Sequence, residues 1–110
     1  HYDQPPGSPD EIIDEIDEIS DSGNIIKIVF NTSGKKDALK LFDVAWRTRD
    51  SGNKLSIMGL GAGGDWTRIH APILNQSLVY TTMENGWYLA QQGRINTSDL
   101  KTAWNLLEYN

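Results

Sequence analysis

One lysine interrupts an otherwise apolar run. Lys27 lies in the segment 25–30, whose other residues are isoleucine, valine and phenylalanine. An ammonium group in such a run either reaches a solvated face of a short strand or points into a closed site, where loss of water lowers the pKa of a lysine. A lysine of the second kind is a neutral amine near neutral pH and can attack a carbonyl carbon to form a Schiff base. Lys27 is therefore a candidate nucleophile, with a solvated strand lysine as the alternative.

A glycine-rich segment is the second pattern that could carry chemistry. Residues 59–64 match G-x-G-x-x-G, follow a predicted strand and precede a predicted helix. Glu84 follows at about 20 residues, where an acidic residue contacts the ribose in dinucleotide-binding folds. The next helix, however, is short and interrupted by Pro72, Trp66 lies early in it, and the motif belongs to the second predicted β-α unit rather than the first. The alternative to a dinucleotide site is a flexible turn beside an active site.

The elements that position these residues follow from hydrophobic periodicity and from capping signals. Ser8, Pro9 and Glu11 supply the N-cap, the first-turn proline and the capping-box glutamate of a helix. We predict helices over Pro9 to about Asp21, Lys36–Asp50, Asp65–Leu74 and Asp99–Tyr109 (capped by Thr97 or Ser98), strands over Ile25–Phe30, Leu55–Met58 and Leu78–Thr82, and loops over Gly59–Gly64 and Glu84–Asn96.

Strands that alternate with helices predict parallel pairing and the α/β class. Three short strands are few for a complete parallel sheet, because such a sheet needs cover on both faces and at its edges. Two architectures fit: a small open α/β domain, or the C-terminal half of a (β/α)8 barrel whose other strands come from elsewhere. The first residue is His rather than Met, so we expect a fragment, a processed product or a trimmed chain.

Composition excludes several function classes. The net charge is −5, and much of the acid lies in segment 10–19, where isoleucines at helical spacing predict an amphipathic helix with a solvated acidic face. The sequence has no stripe of basic residues that would indicate binding of nucleic acid, and no run is apolar enough to indicate a membrane span. The chain has no cysteine, which excludes disulfides and thiolate metal sites and agrees with a cytoplasmic protein.

Five segments match, in order, the motifs of one enzyme family. Residues 25–29 resemble its strand D-I-V-K-I-A, 56–61 and 66–68 resemble T-I-S-M-G and I-S-R, Pro72 with 78–80 resembles P-x-x-G-S-x-x-T-Y, Asp3 with 8–9 resembles S-x-H-D-F-x-x-T-P, and 92–95 are placed like A-P-G-Q-I. The whole chain thus resembles the C-terminal half of type I 3-dehydroquinate dehydratase, a (β/α)8-barrel Schiff-base lyase of the shikimate pathway.

This resemblance implies a role for each candidate residue. Lys27 is the catalytic amine, His1 the candidate general base, and Arg68 the group that binds the substrate carboxylate, while Gln92 and Arg94 lie on a loop that closes over the substrate. The implied partners are 3-dehydroquinate and the N-terminal half of the barrel, missing or on another chain; a homodimer stays open. Neither a metal nor a cofactor is implied.

The chain also departs from the family pattern. A strict alignment on Asp3 puts Tyr2 where the histidine belongs, so His1 fits only if the loop is rearranged. The substrate loop has Gln92 for proline, Arg94 for glutamine and Ala90 near a substrate-binding serine. These differences motivate an alternative function, a non-catalytic barrel that binds the metabolite as a regulatory or sensing domain.

Overall fold

Helices and strands alternate in the structure, a computed structural model that describes residues 4–19 and 24–109. The elements are α1 (Pro9–Ile19), β1 (Ile25–Ser33), α2 (Lys35–Thr48), β2 (Lys54–Ala62), α3 (Trp66–Ile69), α4 (Ala71–Leu74), a 3-10 helix (Trp87–Gln92) and α5 (Thr97–Leu106). The predicted α/β class is confirmed by this alternation and by the pairing of the strands.

The two strands pair in parallel through the β1–α2–β2 connection. Their register runs from Ile25 opposite Lys54 to Ser33 opposite Ala62. β-Branched residues at the start of β1 favour the extended, half-buried backbone that this pairing needs. Both strands are longer than predicted, because backbone pairing continues beyond the apolar runs into polar and glycine residues.

The hydrophobic core lies between one face of this sheet and the helices α1 and α2. Side chains alternate between the two faces of a strand, so every second residue points into this core. The helices contribute apolar residues at helical spacing, and the buried cluster joins Ile12, Ile16, Ile28, Phe30, Leu41, Val44, Ala45, Leu55, Ile57 and Leu74.

Helix α1 has the predicted amphipathic form. Ile12 and Ile16, one turn apart, are buried, whereas the acidic residues between them are exposed. The Ser8 hydroxyl accepts a hydrogen bond from the backbone N–H of Glu11 at 3.2 Å, which confirms the predicted cap. The helix ends at Ile19, and its predicted continuation to Asp21 falls in residues 20–23, outside the described part.

The third predicted strand, Leu78–Thr82, is wrong. The segment forms only an isolated parallel bridge between Thr82 and Asn96. The reason lies on β2, where side chains take hydrogen-bonding positions that a ladder would need. The Ile57 N–H donates to the Gln76 side chain at 2.7 Å, and the Ser56 hydroxyl donates to the Leu78 carbonyl at 2.8 Å. The segment therefore lies beside β2 without pairing to it.

Boundaries after β2 also differ from the prediction. The first four residues of the predicted glycine-rich loop, 59–62, belong to β2. The predicted helix 65–74 divides at His70 into α3 and α4, with a proline in the first turn of α4. The last helix starts at Thr97 and is capped by Asn96, whose side chain accepts from the Asp99 N–H, because an amide can cap as well as the hydroxyls we predicted.

Candidate active site

The sheet face opposite the core forms the wall of an open cavity of about 310 Å³. Alternation along the strands places Lys27 and Val29 of β1 and Met58 and Leu60 of β2 on this wall. Residues from α3, from the segment after α4 and from the loop before α5 complete it: Arg68, Tyr80, Thr81, Thr82, Arg94 and Ile95. Three of the sequence-predicted site residues, Lys27, Arg68 and Arg94, therefore lie around one cavity.

Lys27 faces this cavity but is exposed, so the expectation of a buried amine is wrong for the described chain. Its ammonium nitrogen lies 4.5 Å from the centroid of the Tyr80 ring. The two residues next to Lys27 in the sequence do not cover it, because Ile26 and Ile28 point to the opposite face. Along the far edge of β1, the described backbone contact is a bond from the Asn31 N–H to the Gln4 carbonyl.

Arg68, in contrast, is 6% exposed. One terminal nitrogen, Nη1, donates to the Gly93 carbonyl, and the other, Nη2, lies 3.1 Å from the Met58 sulfur. The Nε atom is buried without a hydrogen-bond partner among the described residues. Burial lowers the pKa of Arg68, and the negative charge of Asp65 opposes that shift. The cavity wall thus holds a guanidinium with unused donor capacity.

Helix α3 positions this arginine. The Thr67 hydroxyl donates to the Ile57 carbonyl of β2, which fixes the helix to the sheet one residue before Arg68. Asp65 immediately precedes the helix, and burial raises the pKa of its carboxyl, with the charge of Arg68 acting in the opposite direction. For both Asp65 and Arg68, burial outweighs the stabilisation that each receives from the charge of the other. An anionic ligand would therefore stabilise the charged form of Arg68 further.

Arg94 ties together the two ends of the loop before α5. Its Nη2 donates to Glu84 at 3.0 Å and to the Thr82 hydroxyl at 3.2 Å, and its Nη1 donates to Gln92 at 3.1 Å. These bonds from Arg94 lower the pKa of Glu84, and the Tyr88 hydroxyl adds a further bond. Gln92 is exposed and lies outside the cavity lining, and it reaches the site only through Arg94.

Comparison with known proteins decides the family. A family model described as Type I 3-dehydroquinase matches residues 1–110. The chain belongs to this family. A curated 3-dehydroquinate dehydratase from Methanosarcina barkeri is 29% identical over 85 residues, which make up 77% of this chain and 35% of that protein.

A solved type I 3-dehydroquinate dehydratase shares the fold. The crystal structure from Clostridium difficile, with covalently modified comenic acid, matches with a TM-score of 0.73 at 18% identity, over 97% of this chain and 42% of that one. The chain therefore has the fold of part of a (β/α)8 barrel, and it spans about two fifths or less of the length of these two relatives.

His1, the candidate general base, lies outside the described residues, as do Tyr2 and Asp3 on which its alignment depends. The other histidine of the chain, His70, packs edge-on against Phe42 and Tyr109, and its Nδ1 lies 2.9 Å from the Tyr109 hydroxyl. It is absent from the cavity lining. Within the described residues, no group of three or more potential ligand side chains could hold a metal ion.

The glycine-rich segment has a packing role in this chain. The Gly59 N–H donates to the Gly64 carbonyl and the Gly64 N–H donates to the Gly61 carbonyl, both at 3.0 Å, so these amides are not offered to a phosphate. A Cβ on Gly64 would lie 2.2 Å from the Gly59 oxygen. The helix that follows has four residues. These contacts disfavour the dinucleotide hypothesis, since it requires free amides at the start of a longer helix.

Tyr80 and Met58 are two of the cavity residues that were not predicted as site residues. Tyr80 entered the sequence argument only through a strand motif, although its ring contacts Lys27. Met58 entered only in the same way, although its sulfur lies against Arg68. The available signal was alternation: Met58 is one residue beyond Ile57, a core residue, and therefore points to the face that carries Lys27.

Proposed function

We propose that this chain is the C-terminal half of a type I 3-dehydroquinate dehydratase barrel, which converts 3-dehydroquinate to 3-dehydroshikimate and water through a Schiff base on Lys27. The observation that carries the proposal is the shared cavity of Lys27 and Arg68 in a chain of the dehydroquinase family. The N-terminal half of the barrel, on the same or another chain, would complete the wall beyond the far edge of β1.

Arg68 would bind the substrate carboxylate. Its Nη1 is engaged by Gly93, so the carboxylate would take the side formed by Nε and Nη2, which now faces the Met58 sulfur. A side-on pair of this kind supplies two charge-assisted hydrogen bonds and fixes the ring of the substrate. Thioether sulfur is a weak acceptor, so exchange of Met58 for a carboxylate is favourable.

Lys27 would attack the C3 ketone as a neutral amine, and loss of water would give an iminium. The iminium withdraws electrons from C2, so a base can remove the C2 proton. The C1 hydroxyl then leaves as water after it accepts a proton, and hydrolysis of the iminium returns the lysine and releases the product. His1 is our candidate for the base, and Arg94 with Gln92 would contact the substrate hydroxyls.

Borohydride trapping tests this function. The protein with its complete barrel is reduced with sodium borohydride in the presence of 3-dehydroquinate, and peptides are analysed by mass spectrometry. We expect a ligand-sized mass on Lys27 and none on Lys54, an exposed lysine on β2. The variant Arg68→Met should reduce trapping at low substrate concentration by at least about tenfold, the loss that one charge-assisted pair brings.

No adduct on Lys27 in the complete protein would contradict the lyase proposal. The exposure of Lys27 and the differences in the substrate loop, Ala90, Gln92 and Arg94, favour one alternative, a non-catalytic dehydroquinase-like domain that binds the metabolite. Calorimetric binding of 3-dehydroquinate without adduct or turnover would select that function. Thermal stabilisation by NAD(H), with none by 3-dehydroquinate, would instead select the dinucleotide module.

A further inference from the structure

Lys27 and Tyr80 both line the cavity and contact each other there. The lysine lies on β1, opposite Ser56 of β2 in the strand register. The Ser56 hydroxyl donates to the Leu78 carbonyl at 2.8 Å, which holds the segment carrying Tyr80 beside β2. This bond anchors the backbone two residues before Tyr80, and the ammonium nitrogen of Lys27 lies 4.5 Å from the centroid of the Tyr80 ring, within cation–π range.

No carboxylate among the described residues competes with this ring for Lys27. The ion pairs of the described chain join Arg47, Arg49 and Arg94 to their acidic partners. Glu84, at the rim of the cavity, is engaged by Arg94. The ring of Tyr80 is thus the group that the described chain offers to the ammonium of Lys27.

We propose that Tyr80 is a positioning residue for Lys27: its ring holds the end of the lysine side chain over the cavity and releases it when a carbonyl ligand enters. The significance for catalysis depends on the proposed function, while the contact itself does not. The face of an aromatic ring attracts the ammonium and not the neutral amine. While the contact lasts, the ring therefore competes with a ligand for the lysine nitrogen; when a ligand displaces the ring, the nitrogen can attack the carbonyl carbon of the ligand.

The contact can be tested without substrate, on the protein with its complete barrel. Lysines are converted to ¹³C-dimethyl-lysines, which keep their positive charge, and the variant Lys27→Arg identifies the Lys27 resonance by its absence. We expect ring-current shielding of the Lys27 methyl groups relative to those of Lys54. Shielding should persist in Tyr80→Phe, which keeps the ring, and disappear in Tyr80→Leu, which does not.

Reactivity gives a second measurement. At mildly alkaline pH, acylation of unmodified Lys27 should be about two- to fivefold faster in Tyr80→Leu than in the wild type, the factor that corresponds to an exposed cation–π contact. Tyr80→Phe should match the wild type, and Lys54 should react equally in all three proteins. A Lys27 resonance that coincides with that of Lys54 in the wild type would overturn the proposal, as would equal acylation rates in the wild type and a folded Tyr80→Leu protein. If circular dichroism shows that Tyr80→Leu is unfolded, the wild-type and Tyr80→Phe shielding decides.

The complete barrel supplies the functional measurement. Loss of the ring should lower kcat by more than it changes KM in Tyr80→Leu, because the lysine nitrogen loses its position over the cavity, and Tyr80→Phe should restore the wild-type values. An unchanged kcat in a folded Tyr80→Leu protein would overturn the catalytic part of the proposal. Absence of a borohydride adduct with shielding intact would instead reject the lyase function and leave the Lys27–Tyr80 contact standing.

Discussion

The two faces of the same two strands differ in how completely this chain covers them. The face that carries Ile28 and Ile57 is closed by α1 and α2, and these residues are 4% and 1% exposed. The face that carries Lys27 and Leu60 opens to the cavity, and Leu60 is 41% exposed. The chain therefore closes its core face, whereas on the cavity face it buries Val29 and Met58 but leaves Lys27 and Leu60 exposed.

Truncation of one residue on each face gives the largest expected contrast. Ile57→Ala should lower the free energy of unfolding by about 2–5 kcal/mol, because it leaves a cavity in a filled core. Leu60→Ala, on the open face, should cost below about 1 kcal/mol, since water already reaches the side chain. Urea denaturation followed by circular dichroism measures both. Equal losses would show that the two faces are buried alike and would remove the comparison.

The next largest loss of stability is expected from a substitution just after β2, where the backbone is tightly packed. Gly64→Ala should cost about 1–3 kcal/mol, because the new Cβ would lie 2.2 Å from the Gly59 oxygen and backbone would have to move. Gly7→Ala is the matched control: its Cβ would meet the Glu11 carboxylate at 2.7 Å, but that side chain can swing away. Thermal unfolding compares them. A stable Gly64→Ala protein would reopen the interpretation of segment 59–64 as a flexible turn.

The closed face was predictable from the sequence to a useful degree. Isoleucine spacing in α1 and the apolar run of β1 specify which residues meet in the core, because each pattern has the period of its element. The same apolar run misled us about Lys27, since neighbours in sequence lie on opposite faces of a strand. Burial of an open-face residue depends on other strands, and no local pattern encodes them.

The predictions of the helix boundaries and of the third strand were wrong for a different reason. Gln76 and Ser56 use their side chains where a backbone ladder was expected, and polar side chains compete with secondary structure in ways that apolar periodicity does not register. The cavity residues came from motif resemblance. Their partners came only with tertiary structure: the carbonyl of Gly93 for Arg68, and Glu84 for Arg94.

As the pH falls, the packing of His70 against Phe42 and Tyr109 should lose stability before the ion pair of Glu84 at the cavity rim does. Burial lowers the pKa of His70 from its ordinary 6.5, so the unfolded chain binds more protons once the pH falls below about that value. The free energy of unfolding should then decline as the pH falls through the interval between the unfolded and folded pKa values. His70→Asn should make the free energy of unfolding depend less on pH over this interval, as measured by urea denaturation at a series of pH values. The two proteins differ only at residue 70, so the difference between their slopes belongs to His70. An unchanged slope would exclude His70 as the group responsible.

The ion pair between Glu84 and Arg94 at the cavity rim should have the smallest effect, because both side chains are exposed. The pKa of Glu84 is lowered from 4.5, so this contribution is present above that value and is lost as the pH falls through the folded pKa. Glu84→Gln should leave thermal unfolding nearly unchanged at neutral pH, yet speed tryptic cleavage after Arg94 by no more than a few-fold, since the loop loses the bond that joins its ends. Cleavage after Arg49, which is paired with Asp50 away from the cavity, should not change and is the control. A large loss of thermal stability would mean that the rim, like the core face, is held by contacts within this chain, and the contrast between the two faces would narrow.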